Sequence, residues 1–321
     1  MKNLHHTKIH VSKLFNIHSI WPLIYSWPQH LPLVFLRMYQ GRFFILAIKF
    51  SEISYDTALN LSLDNSLYNT SCVQNQNIPD LPFYAGIIGV LSYDDFCDVY
   101  YSNITSKFFY IYAAIVFDNQ TKNCWLCQSI DSSSAYVQYQ IDFNQLLFTT
   151  SPTCIANIKF QSNLIPYNTY QYHKHLIEKA ITDIKNGQYY QINLLRYFVL
   201  EDTLGHKEQL YLLYRSEAPY ANLIRTDDFM ILSLSPEKFI ELSMHNNKYC
   251  ICTYPIKGTA TRYRNFIFDK LSALRLLKDK KNLAELHMII DLMRNDLYKI
   301  TLTNTVQVIN ANALHTFKNV H

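Results

Sequence analysis

Hydrophobic and polar positions change their spacing part-way along the chain, and the change divides it into two kinds of segment. Up to about residue 130 the apolar runs are short and strand-like. Residues 30 to 50 read as a strand pair broken near "YQGR", with "FFILAIKF" as the second run. Residues 52 to 80 are polar, rich in Asn and Ser and without a period, which predicts a long surface excursion. "LPFYAGIIGVLSYDDF" is an apolar turn punctuated by glycine, and "KFFYIYAAIVFDNQTKNCWLCQSI" predicts a hairpin turning at "DNQTKN". From Asn168 the spacing becomes helical. Tyr172, Leu176, Ala180 and Ile184 share a face, Asn168 or Thr169 can cap the start, and Gly187 ends the run. A strand over "QYYQINLLRYFVL", a helix over "HKEQLYLLYRSEA" and strands at "YANLIRT" and "FMILSLS" follow. "PEKFIELSMHNNKYCICTYPI" predicts a hairpin turning at Asn246 and Asn247. Last comes a long helix, about 270 to 297, with Leu283, Leu286, Ile290, Met293 and Leu297 toward the core. With no internal repeat and no linker, the pattern predicts one large α/β domain of α+β type, dominated by antiparallel strands.

Composition narrows the classes rather than the fold. The 321 residues are 49% hydrophobic and 17% charged, which suits a globular chain able to bury a substantial core. A net charge of +4, spread along the chain, gives no footprint for nucleic acid. "IWPLIYSWPQHLPLVFL" is interrupted by three prolines and is neither a membrane span nor a signal peptide, so the chain reads as cytoplasmic and off the membrane. The seven cysteines, "CWLC" (124 to 127) included, read as buried free thiols, because no second pair or His cluster accompanies that spacing. Cys250 and Cys252 share one strand face. Only six glycines occur, which marks each as a place where positive φ or close backbone approach excludes other residues.

One lysine stands out against this background. "CTYPIKGTATR" (252 to 262) puts Lys257 at the tip of an apolar strand, between a Pro-led segment and a Gly-Thr turn. The hairpin sets its relation to Glu237. A two-residue turn pairs positions summing to 493 and puts the two on opposite faces, whereas a three-residue loop or a bulge makes the sum 494 and sets them directly opposite. Both registers keep them neighbours. The pair reads either as a cross-strand salt bridge or as a nucleophilic or basic lysine beside a general acid. The second role needs burial or a nearby cation, because a lysine of ordinary pKa, about 10.4, is protonated at neutral pH.

"GQYYQINL", "SPEKF", "PIKGTATR" and "AELHMIIDLMRNDL" occur in the order and spacing of the chorismate-utilising enzymes, and the chain resembles that family over nearly its whole length. "GRFFILA" and "LPFYAGIIGVLSYD" resemble its amino-terminal motifs, with Ala85-Gly86 where the family has Gly-Gly. The resemblance implies a fold like that of anthranilate synthase component I, with large antiparallel sheets packed together and outer helices. Residues 1–150 would form the family's amino-terminal region and 151–321 the chorismate-binding catalytic region, as one intertwined unit. Lysine at 257 resembles the aminodeoxychorismate synthase component I branch, since anthranilate synthases carry alanine there; glutamine at 191, where water-adding members carry a lysine, points to an amine nucleophile. On that resemblance Lys257 attacks the chorismate ring, Glu237 protonates the departing hydroxyl, and ammonia from a glutamine amidotransferase subunit yields 4-amino-4-deoxychorismate for p-aminobenzoate and folate synthesis. Gln191, Gly258 and Thr259 would contact substrate. Glu285 matches a metal-site glutamate for Mg2+, with Asn282 where the family has a second acid. Arg262 matches the arginine after the turn, "DLMRND" reads as local structure, and "FLRMY" replaces the family's tryptophan-pocket motif. "LHTFKNVH" stops where the family enters its next motif, so the expectation is a truncated chain, inactive alone. The alternatives are a catalytically inactive remnant and anthranilate synthase.

Overall fold

A computed structural model describes residues 9–15, 17–63, 80–96, 105–129, 139–141, 163–201, 204–245 and 248–321. "FFILAIKF" stays extended because both of its faces are covered. Phe44, Leu46 and Ile48 point into one apolar cluster and Ile45 and Ala47 into another on the opposite side, and all five are buried. This strand, β3 (Phe43–Ile53), lies at the centre of a large antiparallel sheet. The other members are β1 (Ile9–Leu14), β2 (Leu33–Met38), β4 (Gly86–Val90), β5 (Lys107–Asp118), β6 (Asn123–Ser129), β7 (Tyr139–Gln140), β10 (Tyr220–Arg225) and β11 (Met230–Ser235). The path runs β1-β6-β5-β3-β2-β10-β11, with β4 added to β5 and β7 to β3. A bulge around Lys49 shifts the β3–β5 register, so Phe50 joins the cluster of Ile45 and Ala47 although its parity is that of Ile48.

Two helices cover the first face. The short α1 (Trp21–Tyr25) contributes Leu23 and Ile24, and α4 (His206–Arg215) contributes Leu210 and Leu213. Between β7 and β10 lie a two-stranded ribbon, β8 (Leu164–Pro166) with β9 (Phe198–Leu200), and α3 (Tyr170–Lys185). The carboxy-terminal part carries the hairpin of β12 (Glu241–His245) and β13 (Lys248–Cys252), then α5 (Phe266–Lys278) and α6 (Lys280–Tyr298). No helix among the described residues is long and apolar enough to cross a membrane.

The mixed class, the large antiparallel sheet and the outer helices agree with the sequence pattern, as do the pair at 33–53, the 107–129 hairpin, and the helices at 170–185 and 206–215. Five details differ. The glycine-punctuated turn expected over "LPFYAGIIGVLSYDDF" contains a strand, β4, because Gly86–Val90 finds a ladder partner in β5. The polar segment after residue 52 opens with a helix, α2 (Tyr55–Leu63), capped by Ser54, whose hydroxyl accepts from the Thr57 amide; residues 64–79 lie outside the described set. The strand expected over 188–200 contracts to β9, because only residues 198–200 find a ladder partner. The long carboxy-terminal helix is two. Asp279 leaves helical geometry (φ −73°, ψ 109°) and its carboxylate accepts from the Asn282 amide, so it ends one helix and caps the next. Finally, Cys124 and Cys127 are buried free thiols, pushed up to about 12 by burial, but Cys250 and Cys252 are only half-buried. The remaining cysteines lie outside the described residues.

Candidate active site

The β12–β13 hairpin pairs Glu241 with Cys252 and Ser243 with Cys250, so paired positions sum to 493. That is the two-residue-turn register, in which Glu237 falls opposite Ile256 rather than Lys257. The ladder stops at Glu241 and Cys252, and a side chain carries the pairing on: Glu237 Oε1 accepts a 3.0 Å hydrogen bond from the Ile256 amide. The carboxylate is thereby fixed to the residue immediately before Lys257. No salt bridge joins Glu237 to Lys257 among the described residues, so the cross-strand ion pair is absent. Behind Glu237 a tight turn holds the backbone. Ser235 Oγ donates to the Glu237 carbonyl at 2.8 Å and accepts from its amide at 3.2 Å.

Gly258 locks the turn after Lys257 onto the helices. Its φ is +77°, where a Cβ is strained, and a Cβ built there would lie 3.0 Å from Asn282 Cβ and Cγ and 3.2 Å from Leu276 Cδ1. The "KGT" backbone therefore rests on the junction of α5 and α6. Asn282, which stands where the family resemblance places an acid, contacts this backbone directly. Glu285 is three residues further along the same face of α6 and half-buried. Thr259 is exposed. Gln191 lies in the irregular stretch before β9; its Oε1 is buried and has no hydrogen-bond partner among the described residues. The structure thus brings together Glu237, Lys257, Gly258 and, through Asn282, the Glu285 face. It shows no hydrogen bond tying Gln191 to them.

Beyond the turn, backbone pairing continues. Thr261 bridges Val320, and Ala260 exchanges hydrogen bonds with His321 at 3.2 and 2.9 Å. Arg262 grips both Asp269 oxygens through Nε (2.8 and 3.1 Å) and donates to the Phe317 carbonyl. This guanidinium, helped by the Tyr263 amide and His321, holds the Asp269 carboxyl down at about 2. Arg262 is thus a clamp on the polypeptide. Arg294 and Asp291 form a local pair at 3.1 Å, as the spacing predicts.

The donor set for a metal is thin. Among the described residues no three His, Cys, Asp or Glu side chains converge. Glu285 supplies one carboxylate and Asn282 only a neutral amide, so a single charged oxygen would have to offset the cost of stripping water from a reluctantly dehydrated magnesium ion, and these residues by themselves do not fit one.

Two contacts escaped the sequence reading. Thr253 Oγ1 donates to the Phe239 carbonyl at 2.6 Å and lies 3.8 Å from Met293 Sδ, joining the "SPEKF" segment, β13 and α6. Lys238, beside the expected acid, pairs with Glu241 and faces three tyrosine rings. Its cage is assembled from residues up to about two hundred positions apart in the chain, so no local spacing announces it.

Residues 45–321 match the family model described as chorismate binding enzyme. Among curated relatives, aminodeoxychorismate synthase component 1 of Klebsiella aerogenes is 29% identical over 263 residues, covering 78% of this chain and 55% of that protein. The protein of the same name from Salmonella typhimurium is 30% identical, with 76% and 53% covered. An anthranilate synthase component I-like protein of Synechocystis is 28% identical, with 76% and 51% covered. The chain thus spans about half the length of these relatives. Among solved structures, anthranilate synthase component I from Streptococcus pneumoniae superposes with a TM-score of 0.54 at 19% identity, over 93% of this chain and 65% of that one. The menaquinone-specific isochorismate synthase of Escherichia coli gives 0.51 at 12% identity, over 91% and 64%. Both carry the same architecture.

Proposed function

The chain belongs to the chorismate binding enzyme family, and from that premise we propose that it aminates chorismate to 4-amino-4-deoxychorismate. The observation that carries this reading is the Glu237 carboxylate bonded to the amide next to Lys257. The carboxylate is thereby anchored one residue before Lys257, at the start of a turn pinned by Gly258. The names of the two enterobacterial relatives agree with it.

In the proposed reaction the Lys257 ammonium first passes one proton to solvent, and the neutral amine forms a C–N bond to the ring. The C4–O bond breaks, and the hydroxyl leaves as water with a proton from Glu237. Ammonia then forms the C4–N bond, the lysine C–N bond breaks, and the surplus ammonia proton restores the acid. The sum is chorismate and ammonia in, aminodeoxychorismate and water out. Ammonia comes from a glutamine amidotransferase partner, in keeping with the "component 1" names of the relatives. Gln191 suits this nucleophile, because its buried, unpartnered Oε1 is an acceptor that an N–H can satisfy. Gly258 and Thr259 contribute substrate contacts.

A second reading, chorismate binding without turnover, is favoured by one observation, the neutral Asn282 beside a lone Glu285. The test is to incubate the protein with chorismate, magnesium and ammonium, and convert any product to p-aminobenzoate with the downstream lyase. p-Aminobenzoate supports the first reading. Binding of chorismate with no product supports the second, and anthranilate fluorescence in the same mixture would overturn both.

A further inference from the structure

A charged amine beside the site is caged by aromatic rings. Lys238 Nζ lies 4.8 Å from the Tyr254 ring centroid and 5.8 Å from those of Tyr39 and Tyr220. It also pairs with Glu241, and its side chain is only 22% exposed. The rings come from three places: Tyr39 from the β2–β3 turn, Tyr220 from the first position of β10, and Tyr254 from the segment leading to Lys257. Burial works against the ammonium, but Glu241 and the neighbouring tyrosines outweigh it and raise the Lys238 pKa. The cage therefore holds a cation, which is what ring faces attract.

We propose that Lys238 is a positioning residue: its cage clamps the "SPEKF" segment between the sheet and the Lys257 segment, and so holds the Glu237 carboxylate on the Ile256 amide. Adjacent Cα atoms are about 3.8 Å apart, so a displaced Lys238 moves Glu237 with it. Tyr254 lies two residues before Ile256, so the cage grips both segments that the Glu237 carboxylate bridges. A surface lysine paired at i, i+3 would need none of these rings. The inference rests on Glu237 as the proton donor, but its test needs no chorismate.

Hydrogen exchange, read by mass spectrometry on peptides spanning 254–258, reports the Ile256 amide. Lys238→Met keeps the length of the side chain and removes the charge. Exchange of this segment then becomes about tenfold faster, the loss of roughly one hydrogen bond. Lys238→Arg, which keeps a cation among the rings, restores the slow rate. Glu237→Ala produces the same acceleration as Lys238→Met, and the double variant adds nothing, because both act on one hydrogen bond. Exchange in β5 stays unchanged throughout as the internal reference. Should Lys238→Met unfold the protein, Glu241→Gln, which loosens the pair and leaves the lysine, carries the same expectation. Unchanged exchange at 254–258, or losses that add in the double variant, overturns the proposal while leaving the reading of Glu237 and Lys257 to its own assay.

Discussion

Glu237, Lys257 and Gly258 each make a claim that one substitution can test. Glu237→Gln keeps an oxygen to accept from the Ile256 amide but has no proton to give. The aminating rate should fall about 10²- to 10⁴-fold, as for loss of a general acid, while the melting temperature stays near that of the parent. Normal turnover with a lowered melting temperature would make the carboxylate structural. Lys257→Ala leaves no amine in the turn to form the adduct, so ammonia-dependent turnover should vanish; a rate above a small fraction of the parent removes Lys257 from the nucleophile role. Gly258→Ala meets two obstacles, a left-handed φ and Asn282 Cβ at 3.0 Å from the new methyl. It should lower stability by about 1–2 kcal/mol in denaturant titration, the strain of one left-handed residue. No loss would mean the turn yields freely.

At the scale of elements, α4 is joined to the sheet by a pH-sensitive contact. His206 Nδ1 sits against Arg225, whose other nitrogen donates to the Pro28 and Leu31 carbonyls at 3.3 and 3.2 Å. Burial first, and the Arg225 charge second, push the imidazole down to about 4 from an ordinary 6.5. The folded state therefore binds fewer protons than the unfolded chain between those values. Stability is full above about 6.5, falls as the pH drops, and levels off below about 4. Asp269, held down at about 2, acts at lower pH. His206→Gln should flatten the melting temperature between pH 4 and 6.5, and an unchanged slope would mean that other groups set it. Elements governed by local rules were legible in the sequence. Thr169 caps α3 through the Tyr172 amide, Gly187 closes it at φ +74°, and the β5–β6 turn falls where expected. The break at Asp279 was missed because it falls in the polar run "KDKKN" (278 to 282), where no apolar residue reports the helical period. The strand expected over 188–197 failed for the opposite reason: its residues have the pattern but no partner edge. The site divides likewise. Neighbourhood of Glu237 and Lys257 followed from a hairpin, whereas their register depended on a turn length that side-chain types leave open.

For the whole molecule, what matters is where apolar surface is buried. The clusters that hold the sheet draw on residues 11–141 and 210–224, and beyond Ile224 Ala273 is the sole buried hydrophobic residue among those described. α3 shows the consequence. Of its residues with defined burial only Ala180 is buried, while Ile177, Ile181 and Ile184 are 40%, 48% and 41% exposed. Phe198 and Val199 of β9 and Phe266, Ile267 and Phe268 of α5 are exposed as well. In α6 the expected apolar stripe of Leu283, Leu286, Ile290, Met293 and Leu297 is on one face, yet it is only half-buried. So much open apolar surface favours contact with another surface over contact with water. This chain in dilute buffer should therefore brighten a hydrophobic dye and self-associate with rising concentration, seen by light scattering. Replacing Ile177, Ile181 and Ile184 together with Gln should weaken both effects and leave the melting temperature within about 2 °C, since exposed positions contribute little to the folded state. A large fall in melting temperature would show that this face is packed against something, and the account of the open helix would be wrong.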